Sequence, residues 1–105
     1  MSFTVGSSKP GAATLLGPSG TISNATPTYS WNAVEGATWY YFWLASPTAN
    51  PAFSKWYRAE NIVSGGVCAI TPDFSLGLGV HRWWVQSWNA NGYGPWSAAM
   101  SFSRE

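Results

Sequence analysis

Charge is what this chain has least of. Only 9% of its 105 residues are Asp, Glu, Lys or Arg, and five basic against four acidic groups leave a net charge of +1. There is no basic run to neutralise phosphates, which argues against nucleic acid as a partner. A single cysteine, Cys68, cannot close an internal disulfide and leaves the redox compartment open. The single histidine, His81, has no Cys or His near it, so no metal site is expected where a set of ligands would be needed. Apolar runs stay far below the roughly 18 to 20 residues of a membrane span, and the N-terminal MSFTVGSS lacks the basic and apolar regions of a signal peptide. No stretch keeps helical spacing. The carboxylates Glu35, Glu60, Asp73 and Glu105 are scattered over turns and one end, without the facing pair that glycoside hydrolysis needs. Gly65-Gly66 and Gly77-Leu78-Gly79 lack the Lys and the strand-to-helix setting of a phosphate loop. These absences point away from an enzyme, a nucleotide or any other cofactor, and away from a membrane.

What the chain has in excess is aromatic side chains: 17% of residues, with eight Trp, five Tyr and five Phe. Each buries about 150 to 250 Å² when packed. A domain of this length has one core, and it cannot take them all. The surplus must lie on a surface.

Alternation places it there. From Val80 to Asn89, VHRWWVQSWN puts Trp83, Val85 and Ser87 on one side and Arg82, Trp84, Gln86 and Trp88 on the other. The set with Val and Ser is expected inside, and the Trp row outside. From Thr38 to Leu44, TWYYFWL sets Tyr40, Phe42 and Leu44 against Trp39, Tyr41 and Trp43, and the Leu-containing set is expected inside. Thr26 to Val34 alternates Tyr29, Trp31 and Ala33 against polar residues, with Trp31 best suited to the core. Phe53 to Ala59 is a further strand in which adjacent Trp56 and Tyr57 leave the facing open. Ala13 to Leu16, Val67 to Thr71 and Ala98 to Ser103 complete about seven strands, with Cys68 a core thiol and Met100 and Phe102 inward. Turn signals at Gly17-Pro18, Glu35-Gly36, Gly65-Gly66 and Asn91-Gly92 separate them. The expected fold is all-β, a two-sheet antiparallel sandwich over residues 11 to 105. Gly6 to Pro10 reads as a linker, and MSFTV at the start echoes MSFS at Met100 to Ser103, which suggests that residues 1 to 10 carry the last strand of a preceding copy in a tandem array.

The succession PTYSWNAVEGATWY at Pro27 to Tyr40, LGVHRWWV at Leu78 to Val85 and N-x-x-G-Y-G-P-W-S at Asn89 to Ser97 resembles fibronectin type III-like domains of bacterial extracellular proteins. The resemblance implies that the third, sixth and last strands share one sheet. It also implies that Trp31 and Tyr40 are core aromatics of the second and third strands, and that the parent protein is secreted or at the cell surface. One departure is His81, which stands where the family has a Tyr whose hydroxyl ties the sixth strand to the preceding corner; His can still donate a bond there.

With the third and sixth strands adjacent, Trp39, Tyr41 and Trp43 would lie beside Arg82, Trp84, Gln86 and Trp88, bordered by Trp56 or Tyr57. That composition resembles the binding face of carbohydrate-binding modules. A pyranose offers polarised C–H groups to an indole face, and Gln86, Arg82 and Asn89 could meet its hydroxyls. The expected partner is a polysaccharide or oligosaccharide bound by a monomeric, non-catalytic module. Arg58 and Arg82 suit acidic groups on such a polymer, or else stack on neighbouring Trp. The alternative is a structural or adhesive tandem repeat whose Trp face packs against protein.

Overall fold

A computed structural model describes residues 9–105. Met1 to Val5, and with it the echo of the final strand, lies outside the described residues, as does most of the expected linker. Ten strands and one helical turn follow in the order β1 (Leu15–Gly17), β2 (Gly20–Ile22), β3 (Tyr29–Asn32), β4 (Trp39–Ala45), β5 (Phe53–Arg58), α1 (Ala59–Ile62), β6 (Val63–Ser64), β7 (Val67–Ile70), β8 (Gly79–Asn89), β9 (Gly92–Trp96) and β10 (Met100–Arg104).

They form two packed sheets. One runs β1-β3-β7-β6; the other runs β2-β10-β8-β4-β5, with β9 also on β8. The expected adjacency of third, sixth and last strands is present as β4, β8 and β10. Three strands exceed the expectation, and each has a physical reason. The chain leaves the first sheet after Gly17 and joins the second at Gly20, so the N-terminal strand is divided between sheets. Its second part, β2, pairs parallel with β10, the one departure from antiparallel order among the described strands. β6 and β7 close a two-residue hairpin over Gly65-Gly66, whose φ values of 60° and 83° suit glycine alone. β9 and β10 both run along β8 and are interrupted at Ser97, where the backbone N–H bonds back to Val85 O at 2.9 Å.

The alternation in β3, β4 and β8 is realised. Tyr29, Trp31, Tyr40, Phe42, Leu44, Trp83 and Val85 are all buried, with Cys68 and Phe102 beside them. Trp83 and Phe42 meet Tyr29 at ring-centroid distances of 5.3 and 4.7 Å, so the core is held by tilted and edge-on aromatic contacts, about 0.5 to 1.5 kcal/mol each beyond area burial. Burial pushes the Cys68 thiol pKa up, as expected of a core thiol. His81 is 1% exposed and its Nε2 lies 3.0 Å from Gly77 O, so the sixth strand is tied to its corner through imidazole.

Candidate functional site

Register in the second sheet sets its outer face. Trp39 pairs with Arg58 on one side and Trp88 on the other; Tyr41 pairs with Trp56 and Gln86; Trp43 pairs with Ser54 and Trp84. Across β8, Trp88 pairs with Tyr93 and Gln86 with Trp96. Side chains opposite one another share a face. Four strands therefore bring eight aromatic residues to one surface.

Most of the expected site residues are on it. Trp39, Tyr41, Trp43, Trp56, Trp84, Gln86 and Trp88 are half-buried there, and Arg82 is exposed at the end of the row. Tyr57 is not. It pairs with Tyr40 and faces the core side, with Lys55 Nζ 5.3 Å from its ring and its hydroxyl pKa raised by burial. The open choice in β5 thus resolves to Trp56. Asn89 also departs from expectation: it has the parity of Ser87, is buried, and donates from Nδ2 to Gly36 O at 3.2 Å while its Oδ1 accepts from Asn91 N at 2.8 Å. It holds the turns rather than a ligand. Gln86 keeps its place on the face, where one N–H of its Nε2 donates to Gly94 O at 3.1 Å.

Three residues on or beside this face were not foreseen. Tyr93 and Trp96 are 55% and 42% exposed and stand at its edge. The Asn91-Gly92 turn was a signal for them, since a hairpin there must lay the following residues beside Trp88. The third, Asn50, accepts from the Trp43 indole N–H at 2.8 Å through Oδ1. Its own amide N–H groups remain available as donors.

The rings do not stand as a flat row. Tyr41 lies at the centre, stacked on Trp56 at 4.6 Å with planes 12° apart, and within 5.9 Å of both Trp43 and Trp96. Trp96 meets Trp43 at 6.1 Å, Tyr93 meets Trp56 at 6.0 Å, and Trp39 meets Trp56 at 6.5 Å. The centre is filled by this cluster and hollows open at either end. One, about 450 Å³, is walled by Trp39, Trp56, Trp88 and Tyr93. A second, about 310 Å³, lies among Trp43, Asn50, Trp84 and Trp96. A third, about 580 Å³, shares Asn50 and Trp84 with the second and runs past Ala45, Ser46 and Pro47 to Arg82.

The two arginines differ in their surroundings. Arg58 lies over Trp39, its guanidinium carbon 5.2 Å from the ring, and its Nε is 3.4 Å from Glu60 Oε2. Arg82 has no carboxylate partner among the described residues. Among those residues no group of three or more His, Cys, Asp or Glu is placed to hold a metal ion, and no helix is long and apolar enough to cross a membrane.

No protein-family model matches the sequence, and no curated protein matches it either. Solved structures do match. One described as "Structure of FN3tt mut", a fibronectin type III variant, aligns over 91% of this chain and 94% of its own, with a TM-score of 0.52 at 13% identity. At that identity the likeness speaks for fold. The chain is a fibronectin type III-like β-sandwich, and its aromatic cluster is compatible with a binding or a structural module.

Proposed function

We propose that this is a non-catalytic module that binds polysaccharide on the outer face of the β4/β8 sheet. The observation that carries the proposal is the pair of ring-walled hollows on one face, each lined by Trp side chains from different strands. Indole walls offer faces to sugar C–H groups, while Asn50 N–H in the second hollow supplies a hydroxyl partner. Trp39 and Trp43 are four residues apart on β4, about 13 Å at the rise of a strand. The two hollows therefore suit separated sugars of one polymer chain rather than a single monosaccharide. Among the described residues no carboxylate lines either hollow. Weak binding at each copy would be raised by avidity if the module is repeated in a secreted or cell-surface parent.

A second function is favoured by a different observation. The rings pack on one another, and Tyr93 and Trp96 present an apolar edge that another protein surface could cover, as in a structural or adhesive repeat. Retardation in native gels holding neutral, uronic and sulfated polysaccharides, with Trp fluorescence on the same mixtures, separates the two. Sugar binding predicts selective retardation that Trp84→Ala and Trp88→Ala abolish in folded protein. No retardation across the panel, together with self-association in sedimentation, would favour protein packing.

A further inference from the structure

The hollows are not chemically alike, and their order along the face has a direction. At the Trp39/Trp88 end the cation is occupied: Arg58 is laid over Trp39 and paired with Glu60. At the other end, Trp84 and Asn50 form a shared wall, beyond which the third hollow leads to Arg82. Arg82 stands on the outer face between Ala45 of β4 and Ser101 of β10, neither of which can partner a cation through an acidic side chain. It is exposed, has no ion-pair partner among the described residues, and belongs to a chain with few charges of either sign.

From this we infer that Arg82 receives an anionic substituent, a carboxylate or a sulfate, on the polysaccharide whose rings occupy the neighbouring hollow, so that the ligand is an acidic polymer. The inference rests on the polysaccharide reading of the same face. A guanidinium offers a planar fork of N–H donors that matches a carboxylate or sulfate edge and meets there an opposite charge that a hydroxyl pair lacks. Its distance from the stacking rings matters as much as its charge. Arg82 is two residues from Trp84 on the same side of β8, about 6.7 Å at the strand rise, so a substituent on a sugar held at Trp84 can reach it. Arg58, stacked on Trp39 and paired through Nε with Glu60, already faces an anion and is the less favourable receptor of the two. The acidic group would therefore sit at the Arg82 end of the face. No carboxylate among the described residues lines this third hollow to repel it.

The test is isothermal titration of the protein with three soluble oligosaccharides of matched length: an oligogalacturonide, a sulfated galactan fragment and a neutral galactan fragment. The expected result is tighter binding of one or both acidic ligands, weakened about three- to fivefold by Arg82→Met, the loss typical of an exposed ion pair. The neutral ligand should lose less to that change, so that the acidic preference narrows. Arg58→Met should leave the acidic preference in place, and raising the salt concentration should erode it. The two acidic arms tell carboxylate from sulfate. Binding of all three ligands with equal affinity, unchanged by Arg82→Met, would overturn the inference while leaving polysaccharide binding intact. Binding of none of them, in folded protein, would overturn both.

Discussion

Trp56 lies face to face with Tyr41, their ring centroids 4.6 Å apart and their planes 12° from parallel. The two residues come from neighbouring strands, β5 and β4, and are directly opposite in register. Each covers one face of the other, so the stack is both a piece of sheet stability and the partition between the two ring-walled hollows. Trp96, by contrast, reaches the cluster from the β9 edge and remains 42% exposed.

That contrast predicts different consequences for the two indoles. Trp56→Ala should cost about 2 kcal/mol or more of stability, from lost burial and a lost stacked pair. Trp96→Ala should cost about 1 kcal/mol or less and yet reduce polymer retention, because its ring walls the second hollow. Urea unfolding and gel retardation measured on both variants check this. Equal stability losses would mean that Trp96 belongs to the packed cluster as fully as Trp56.

Two buried serines on neighbouring parts of the sheet should also behave oppositely. Ser97 Oγ accepts the Val85 N–H at 3.0 Å and donates to Ala98 O at 3.0 Å, filling the gap where β9 gives way to β10. Ser97→Ala leaves a buried amide unpaired, a loss of about 1 to 3 kcal/mol. Ser87 Oγ is buried with no hydrogen-bond partner among the described residues. Ser87→Ala should be neutral or stabilising by up to about 1 kcal/mol, because it removes a desolvated hydroxyl from an apolar setting. Denaturation midpoints of the two variants should move in opposite directions or differ by at least the cost of one hydrogen bond.

These serines mark where sequence reading succeeds and where it stops. Ser87 was legible as an inward residue because it alternates with Trp83 and Val85, and period two is a strong constraint over a strand as long as β8. The same parity argues that Asn89 is inward, since it stands two residues beyond Ser87. Trp56 and Tyr57 could not be separated, because adjacent aromatics give both faces equal weight; only pairing with Tyr40 and Tyr41 decides. β9 was hidden by its own composition. Gly92, Gly94 and Pro95 read as turn, and Pro95 is tolerated because β9 pairs on one side only, with β8. What no sequence pattern announces is that the surplus rings lean together, that Gln86 donates its amide to Gly94 O, or that Arg58 pairs with Glu60 while Arg82 has no ion pair among the described residues. Those depend on contacts between strands that are distant in the chain.

Gly94 offers a test of how the N-terminal end of the described chain is held. A Cβ built there would run into the backbone of Pro10, which is itself buried. Gly94→Ala should therefore displace Pro10 from β9 and cost about 1 to 3 kcal/mol, as overpacking does. The expected signs are a lower melting temperature and faster proteolysis near Lys9. A variant with unchanged melting would show that Pro10 can move aside freely.

Alkaline pH should unfold the sandwich through its buried tyrosines. Tyr40 is 1% exposed, and burial pushes its hydroxyl from the ordinary 10.0 up to about 12, against the opposing pull of the Val34 N–H that it accepts at 2.8 Å. Tyr29 is also raised, chiefly by burial. A phenol whose folded value lies above its unfolded value favours the protonated, folded form. Its contribution is complete below pH 10 and is lost as pH rises through the folded value, since the unfolded chain releases the proton first. Stability should begin to fall above about pH 9, where the Cys68 thiol of the unfolded chain ionises, and fall more steeply between about 10 and 12 as the tyrosines join, by about 1.4 kcal/mol per pH unit for each such group. Tyr40→Phe should start less stable at neutral pH, because Val34 N–H loses its acceptor, but should fall less steeply across that window. Urea unfolding at a series of pH values gives both slopes. If the variant and the parent chain lose stability at the same rate above pH 10, Tyr40 is not among the groups that drive alkaline unfolding, and Tyr29, the partly buried Tyr57 and Cys68 must carry it.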